Sequence, residues 1–362
     1  MVTCARVGLY EWLFPLARLL PAERAHELGH WALKLPLPLG GGRVEDPFEW
    51  SGLRFPNRVG LAAGFDKNAA VLDGIARMGV GFVEVGTILS APWPGNPPPR
   101  MSRREDERAI WNRLGFPNEG VARVAQRMER FRARNRSGLI LASNVAPHPR
   151  TVKAGGEGFL AEARSELAQL AHALHAVSDL FVINLSSPNT KGLRDLLYGP
   201  GFRDELILPL REALSALDAE ADRPEPTPLL VKLPPEDGEG VPWTEESLAP
   251  CLEPLRAPGA CDGFVAVNTS IGLARARGAS PDEGLPGGLS GVPLRPLAES
   301  TLRLLASARR PEHLLVGGGG VDEPGDALAL RAAGADLVEV YTGMIYHGPR
   351  FPGACARALA ER

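Results

Sequence analysis

The sequence is poor in lysine. Of its 40 basic residues only Lys34, Lys67, Lys153, Lys191 and Lys232 are lysine, so each one kept in an arginine-rich chain asks for a reason. Cysteine is as sparse: Cys4, Cys251, Cys261 and Cys355 lie too far apart for a metal cluster or a dense disulfide framework. They read as free thiols in a reducing compartment, packed as small hydrophobes. Aromatic residues make up 6% of the chain against 44% hydrophobic residues in all, which points to an aliphatic core. No uncharged apolar run reaches the roughly 18–20 residues of a membrane-spanning helix. Glu11 and Arg18 interrupt the apolar N-terminal segment, which argues against a signal peptide. A formal charge of −3 gives no reason to expect nucleic acid as a partner. What remains is a soluble or peripheral protein of 362 residues, a length that α/β barrels commonly reach as one domain.

From Val59 onward one unit recurs: a short β-rich run ends in small polar residues, and a helical stretch usually follows. Strands are expected at 59–65, 81–87, 138–144, 180–186, 228–234, 263–269, 313–319 and 337–343. Amphipathic stretches at 159–177, 202–217 and 294–308 supply helices between them. Apolar strands alternating with helices imply a parallel sheet buried on both faces. Eight such units imply a closed α/β barrel, the (β/α)8 TIM fold. An open doubly wound sheet is the alternative, but it would carry one glycine fingerprint after its first strand, not polar residues after all eight.

Residues 1–45 read as a separate two-helix extension, and residues 46–362 as the barrel. Leu9, Trp12, Leu13, Leu16, Ala17 and Leu20 form an apolar stripe at helical spacing, kinked or split at Pro15. Ala25, Leu28, Ala32 and Leu35 form a second stripe, opened by Pro21. These helices either cover the barrel or present an apolar surface to a membrane or lipidic ligand. Residues 48–59 look like a hairpin turning at Ser51 and Gly52.

Barrel chemistry sits at the C-terminal ends of the strands. There the sequence places Asp66 and Lys67, Thr87, Asn144, then Asn184, Ser187 and Asn189. Lys232 follows, then Asn268, Thr269 and Ser270, and last the glycines at 317–320 and Tyr341, Thr342 and Gly343. Glycine and hydroxyl loops after the last two strands suit a phosphate, because backbone N–H groups approach freely where no Cβ intervenes. "VGGGGVD" alone is as readily a tight turn; with "YTG" at the next strand end, and "GGLSG" nearby, the phosphate reading is the better one. Two lysines in one cavity suit an anionic ligand. Asn144, Asn184, Asn189 and Asn268 offer donors and acceptors for amide or pyrimidine edges. No His/Glu/Cys grouping falls among them, so no metal is expected. Ser187 is the candidate for proton transfer, and no nucleophile elbow or triad accompanies it to suggest hydrolysis.

The motifs "LAAGFDKN" (61–68), "VEVGT" (83–87), "NRLGF" (112–116), "INLSSPNTKGLR" (183–194), "VNTS" (267–270), "GGLSG" (287–291) and "YTG" (341–343) closely resemble those of the dihydroorotate dehydrogenase family. The resemblance runs in order from about Gly52 to Gly348. It implies oxidation of dihydroorotate to orotate in pyrimidine synthesis, with FMN accepting the hydride. "LLPAERAHELG" (19–29) also resembles the extension of the quinone-using class, and Ser187 stands where the soluble classes carry cysteine. A quinone as final acceptor is therefore implied, with a monomer held peripherally on the cytoplasmic side of the cell membrane.

By that resemblance, Ala62, Ala63, Gly64, Thr87, Asn144, Asn184, Lys232, Val267, Gly291, Gly319, Tyr341 and Thr342 match positions that hold FMN. Lys67, Asn112, Arg113, Leu114, Gly115, Phe116, Asn184, Asn189, Asn268 and Thr269 match substrate contacts. Ser187 matches the base that takes a proton from substrate C5 while hydride leaves C6. His26 and Arg103 lie near positions used around a quinone tunnel.

The chain departs from the family pattern in places. Residues 145–151 ("VAPHPRT") replace a Gly-Lys-Asn-Lys type loop, Pro117 a usual asparagine, Val267 a usual threonine, and "KLPPED" (232–237) a more usual Ala-Pro. These changes bear on flavin affinity and on the lid over the substrate. They keep in view a flavin barrel acting on another dihydropyrimidine, and a non-catalytic barrel that binds a phosphorylated ligand.

Overall fold

The computed structural model describes residues 17–37, 42, 44–156, 158–189, 192–198, 201–281 and 285–361. Most of the first apolar stripe (Leu9 to Leu16), together with Cys4, Thr190 and Lys191, lies outside them.

Eight parallel strands close into a barrel in chain order: Val59–Leu61, Phe82–Ile88, Ile140–Val145, Leu180–Asn184, Leu229–Leu233, Gly263–Ala266, Leu314–Gly318 and Leu337–Val340. The last pairs with the first, Val338 opposite Val59. Every expected strand is present. The first, sixth and eighth stop at Leu61, Ala266 and Val340, so the polar tails that follow belong to loops over the barrel mouth.

Side chains alternate in and out along each strand, which stacks the interior in rungs. Phe82, Ile140, Leu180, Leu230, Leu314 and Leu337 make an apolar floor. Two positions further along their strands stand Glu84, Lys232 and Glu339, all buried. Asn144, Asn184 and Gly318 top the neighbouring strands.

The expected hairpin is there, Phe48–Trp50 against Leu53–Phe55, with Ser51 and Gly52 at φ 47° and 71°. Its Phe48, Trp50, Leu53 and Phe55 pack on the floor and stop the N-terminal end of the barrel. A second sheet was not foreseen. Met101–Arg104, Ala109–Asn112 and Gly288–Gly291 pair antiparallel and carry the 112–116 motif over the mouth.

Helix Ala22–Lys34 realises the second apolar stripe. Arg77 fastens its end, donating to the carbonyls of Leu33 and Leu35 at 2.8 and 2.7 Å. Leu19, Leu28 and Trp31 stay 81%, 49% and 59% exposed. Among the described residues no helix is long and apolar enough to cross a membrane. Cys251, Cys261 and Cys355 are buried and free, and burial pushes their thiols up to about 11, 12 and 12.

Candidate active site

The site is built upward from the barrel interior. Lys232 Nζ donates to Glu84 and lies 3.6 Å from Glu339 Oε2. Glu84 also accepts from Asn144 Nδ2 and, at 3.2 Å, from the Ala63 N–H. Burial opposes ionisation of Lys232, but the two carboxyls outweigh it and hold its pKa above the ordinary value. Neither glutamate was singled out in the sequence. The signal was there: each interrupts an apolar strand, in "FVEVGT" and "LVEVYTG", two positions after an inward-facing residue.

Above this group lies an amide network. Thr87 Oγ1 donates to Asn144 Oδ1 at 2.5 Å, and Asn184 Nδ2 donates to Thr87 Oγ1 at 3.1 Å. Ser186 Oγ donates to Asn184 Oδ1 and accepts from Asn268 Nδ2, both at 2.9 Å. Buried Arg194 braces the loops beneath, reaching the carbonyls of Ser186 at 3.0 Å and Thr269 at 3.3 Å. Glu236, within the divergent "KLPPED", accepts from Ser270 Oγ at 2.5 Å and from the Gly272 N–H at 3.2 Å. That departure thus anchors the sixth loop.

One cavity at the mouth gathers the predicted residues. Ala62, Ala63, Gly64, Lys67, Thr87, Asn112, Leu114, Gly115, Phe116, Asn184, Ser187, Asn189, Lys232, Val267, Asn268, Thr269, Gly291, Gly319, Tyr341 and Thr342 all line it. Two predicted residues do not. Asn144 sits behind Thr87 and Asn184, its amide spent on Thr87 and Glu84. Arg113 points the other way and donates to the Pro97 carbonyl at 3.3 Å. Sequence reasoning also missed Ser290 and Asn96. Ser290 Oγ pairs with Thr342 Oγ1 at 2.9 Å, and Asn96 ties the Arg113 carbonyl to the Asn189 carbonyl at 2.8 and 3.1 Å.

The lining has two halves. On one side Gly291, Gly319 and Gly320 take φ of 91°, 118° and 78°. A Cβ on Gly320 would come within 2.4 Å of Arg295, so glycine alone fits this turn at the cavity wall. On the other side Ser187 is 5% exposed, its Oγ accepting from the Asn189 N–H at 3.3 Å. Asn189 Nδ2 donates to Asn112 Oδ1 at 3.0 Å, while Asn189 Oδ1 and Thr269 Oγ1 are buried without a partner. Such atoms are expensive unless a ligand satisfies them. Lys67 donates to the Gly64 carbonyl at 2.5 Å. Desolvation brings its pKa down to about 8, Arg100 adding to the effect and Asp66 and Glu23 opposing it.

The divergent 145–151 loop turns away from this lining. Pro149 opens helix Pro149–Ala154, and Glu166 clamps it, accepting from the His148 N–H at 2.8 Å and Thr151 Oγ1 at 2.9 Å. His148 meets the Trp93 ring edge-on, centroids 5.2 Å apart.

A second, apolar chamber lies between helix Ala22–Lys34 and the barrel. Ala25, Leu28, Ala32, Leu33, Phe65 and Met344 line it, with His26 and Arg103 at its wall. Arg103 donates to the carbonyls of Arg18 and Leu20 at 2.8 and 2.6 Å. His26 lies tilted against His30 with ring centroids 4.4 Å apart and meets Phe65 edge-on at 5.6 Å, and its pKa falls well below the usual imidazole range through burial first, then Lys67 and His30. Met101, Ile110 and Tyr341 face both chambers. Among the described residues no group of three His, Cys, Asp or Glu side chains could hold a metal ion.

A glycine cradle joined to an amide-lined pocket at the C-terminal mouth of an eight-stranded barrel is the arrangement of the flavin-binding barrel oxidoreductases. Within that class the comparisons are specific. The chain belongs to the dihydroorotate dehydrogenase family, whose profile matches residues 48–362. It is 38% identical to dihydroorotate dehydrogenase (quinone) of Acidovorax sp. (strain JS42) over 352 residues, 94% of this chain and 95% of that one. The enzyme of the same name from Rhodospirillum rubrum is also 38% identical, over 98% of this chain and 90% of the other. A crystal structure of Eimeria tenella DHODH in complex with ferulenol superposes with a TM-score of 0.82 at 30% identity, covering 96% of this chain and 93% of that one.

Proposed function

We propose that this chain oxidises dihydroorotate to orotate in pyrimidine synthesis, with FMN in the barrel mouth as hydride acceptor, a quinone as final acceptor and Ser187 as the base. The observation that carries the reading is the chamber where Ser187, Lys67 and four asparagine side chains converge, with Asn189 Oδ1 and Thr269 Oγ1 buried and unsatisfied. The other half suits FMN: Gly291, Gly319 and Thr342 would hold its phosphate, Ala62 to Gly64 and Val267 would flank its ring, and Lys232 would offset charge on it. When bound, FMN supplies the hydride acceptor.

The chain's own residues do the rest. Lys67 meets the substrate carboxylate, and Asn112, Asn184, Asn189, Asn268 and Thr269 hold the ring amides, with Leu114, Gly115 and Phe116 closing over them. Ser187 Oγ takes the C5 proton as its own hydroxyl proton passes on to solvent at the mouth, and the Asn189 N–H steadies the negative charge on that oxygen while its O–H bond breaks. Lys232 offsets charge that accumulates on the cofactor side. The test is anaerobic mixing with dihydroorotate. The flavin band should bleach and a quinone should restore it. A bound flavin that dihydroorotate leaves oxidised, and another dihydropyrimidine bleaches, would reassign the substrate.

Because Lys67 titrates near pH 8 in the free enzyme, its positive charge is present below that pH and lost above it. The KM for dihydroorotate is expected to rise as pH passes about 8, and Lys67→Met should have a KM that is high and flat across the same range. A flat profile in the wild type would remove Lys67 from the carboxylate.

Residues 1–45 form the quinone-side extension and residues 46–362 the catalytic barrel. His26 and Arg103 provide the polar contacts of the apolar chamber, and exposed Leu19, Leu28 and Trp31 rest on the cytoplasmic face of the cell membrane. The protein works as a monomer. Removing residues 1–45 should spare flavin reduction by dihydroorotate and slow reoxidation by quinone. Unchanged quinone turnover would make the helix a cover only.

A further inference from the structure

Inside the barrel three ionisable side chains meet, and their charges do not cancel. Glu84, Lys232 and Glu339 are 0%, 5% and 4% exposed. Two carboxylates against one ammonium leave a negative charge among Val182, Val265 and Val316. A buried charge in that position is neutralised by taking up a proton.

The hydrogen bonds say which carboxyl takes it. Glu84 accepts from Lys232, Asn144 and the Ala63 N–H, a full set for an anion. Glu339 has no such set. Its register neighbours on the flanking strands are Gly318 and Gly60, which carry no side chains. The titratable groups facing it are Glu84 and Lys232, both from across the barrel. Burial and the Glu84 charge push the Glu339 pKa well above the carboxylate range, with Lys232 opposing. Burial also works against ionised Glu84, yet Lys232 and its hydrogen bonds with Glu339 and Asn144 bring it below its ordinary value.

We propose that Glu339 is a carboxylic acid at neutral pH, donating its proton to Glu84, and that this keeps the Glu84–Lys232–Glu339 group neutral beneath the flavin and so sets the flavin's reduction potential. Glu339 and Lys232 line the mouth, so the charge of the group is felt there. An ionised Glu339 would oppose the negative charge a flavin gains with hydride; the neutral acid does not. Glu339 loses no proton during turnover and acts through Lys232, as a positioning residue. The effect on potential rests on the flavin reading above, whereas the proton itself does not.

The test is Glu339→Gln against wild type, read two ways. Infrared difference spectra at neutral pH, with FMN and after its removal, should lose a protonated-carboxyl C=O band in the variant. The flavin potential at neutral pH should stay where it is, because a neutral amide replaces a neutral acid. At alkaline pH the wild-type potential should fall more steeply than the variant's. Loss of a carboxylate band instead, or a positive shift of the potential at neutral pH, would show Glu339 ionised and overturn the proposal. If the variant does not fold, isotopic labelling of glutamate in the wild type reads the same band, and its absence overturns the proposal equally. The band surviving in a protein whose flavin dihydroorotate cannot reduce would sink the substrate reading and support this one.

Discussion

Ser187→Ala is expected to bind FMN as the wild type does and to lose about 10²–10⁴-fold in the rate of flavin reduction, the usual contribution of a positioned base. The separation of the two effects follows from the lining. Ser187 lies in the amide half of the mouth, and among the described residues its Oγ accepts from the Asn189 N–H alone, so removing it disturbs no part of the glycine cradle. A serine oxygen is a weak base alone. The Asn189 N–H helps by stabilising the oxygen of this 5% exposed side chain as its own hydroxyl proton departs and the C5 proton arrives. Stopped-flow mixing with dihydroorotate under anaerobic conditions measures the rate directly. A rate within a few-fold of wild type would take the proton-transfer role away from Ser187.

Lys232→Met should be as damaging for a different reason. Breaking a buried ion pair by removing one partner costs about 3–5 kcal/mol, because the other charge is left uncompensated. Here the stranded charge is Glu84, buried beside the neutral acid Glu339. Urea denaturation should show that loss, and the purified variant should release FMN. Adding Glu84→Gln to Lys232→Met should recover part of the stability without restoring flavin affinity, since the lysine also faces the mouth. A loss of only about 0–1 kcal/mol, the value for exposed pairs, would mean that water reaches the group.

Much of this architecture could be read from the chain. All eight barrel strands announce themselves because an apolar run gives way to small polar residues at each mouth-side end. The same rule overextended the first, sixth and eighth strands, since polar tails at 62–65, 267–269 and 341–343 look continuous with them. Asn144 was assigned to the flavin by resemblance, but its amide is spent on Thr87 and Glu84 and does not line the cavity. In "NRLGF" the chain sends Arg113 outward between Asn112 and Leu114, which line the cavity. Family motifs mark the segment; only backbone direction decides which members reach the ligand. The second sheet was illegible because Met101–Arg104 is short and charged, with no apolar alternation to announce a strand. Glu84 and Glu339 were overlooked because a glutamate between valines reads as solvent-facing until the register turns it inward.

Met101, Ile110 and Tyr341, which face both chambers, form a wall a single side chain thick. On the proposed reading it works as an insulator for protons and a conductor for electrons. Electrons cross such a gap without any molecule moving, whereas a proton cannot pass a methionine and an isoleucine. On the same reading, the substrate's C5 proton would leave beside Ser187 and the protons a quinone takes up would enter beside His26. Solvent isotope effects on the two half-reactions should then be separable, and a compound that fills the apolar chamber should block turnover while leaving dihydroorotate free to bind.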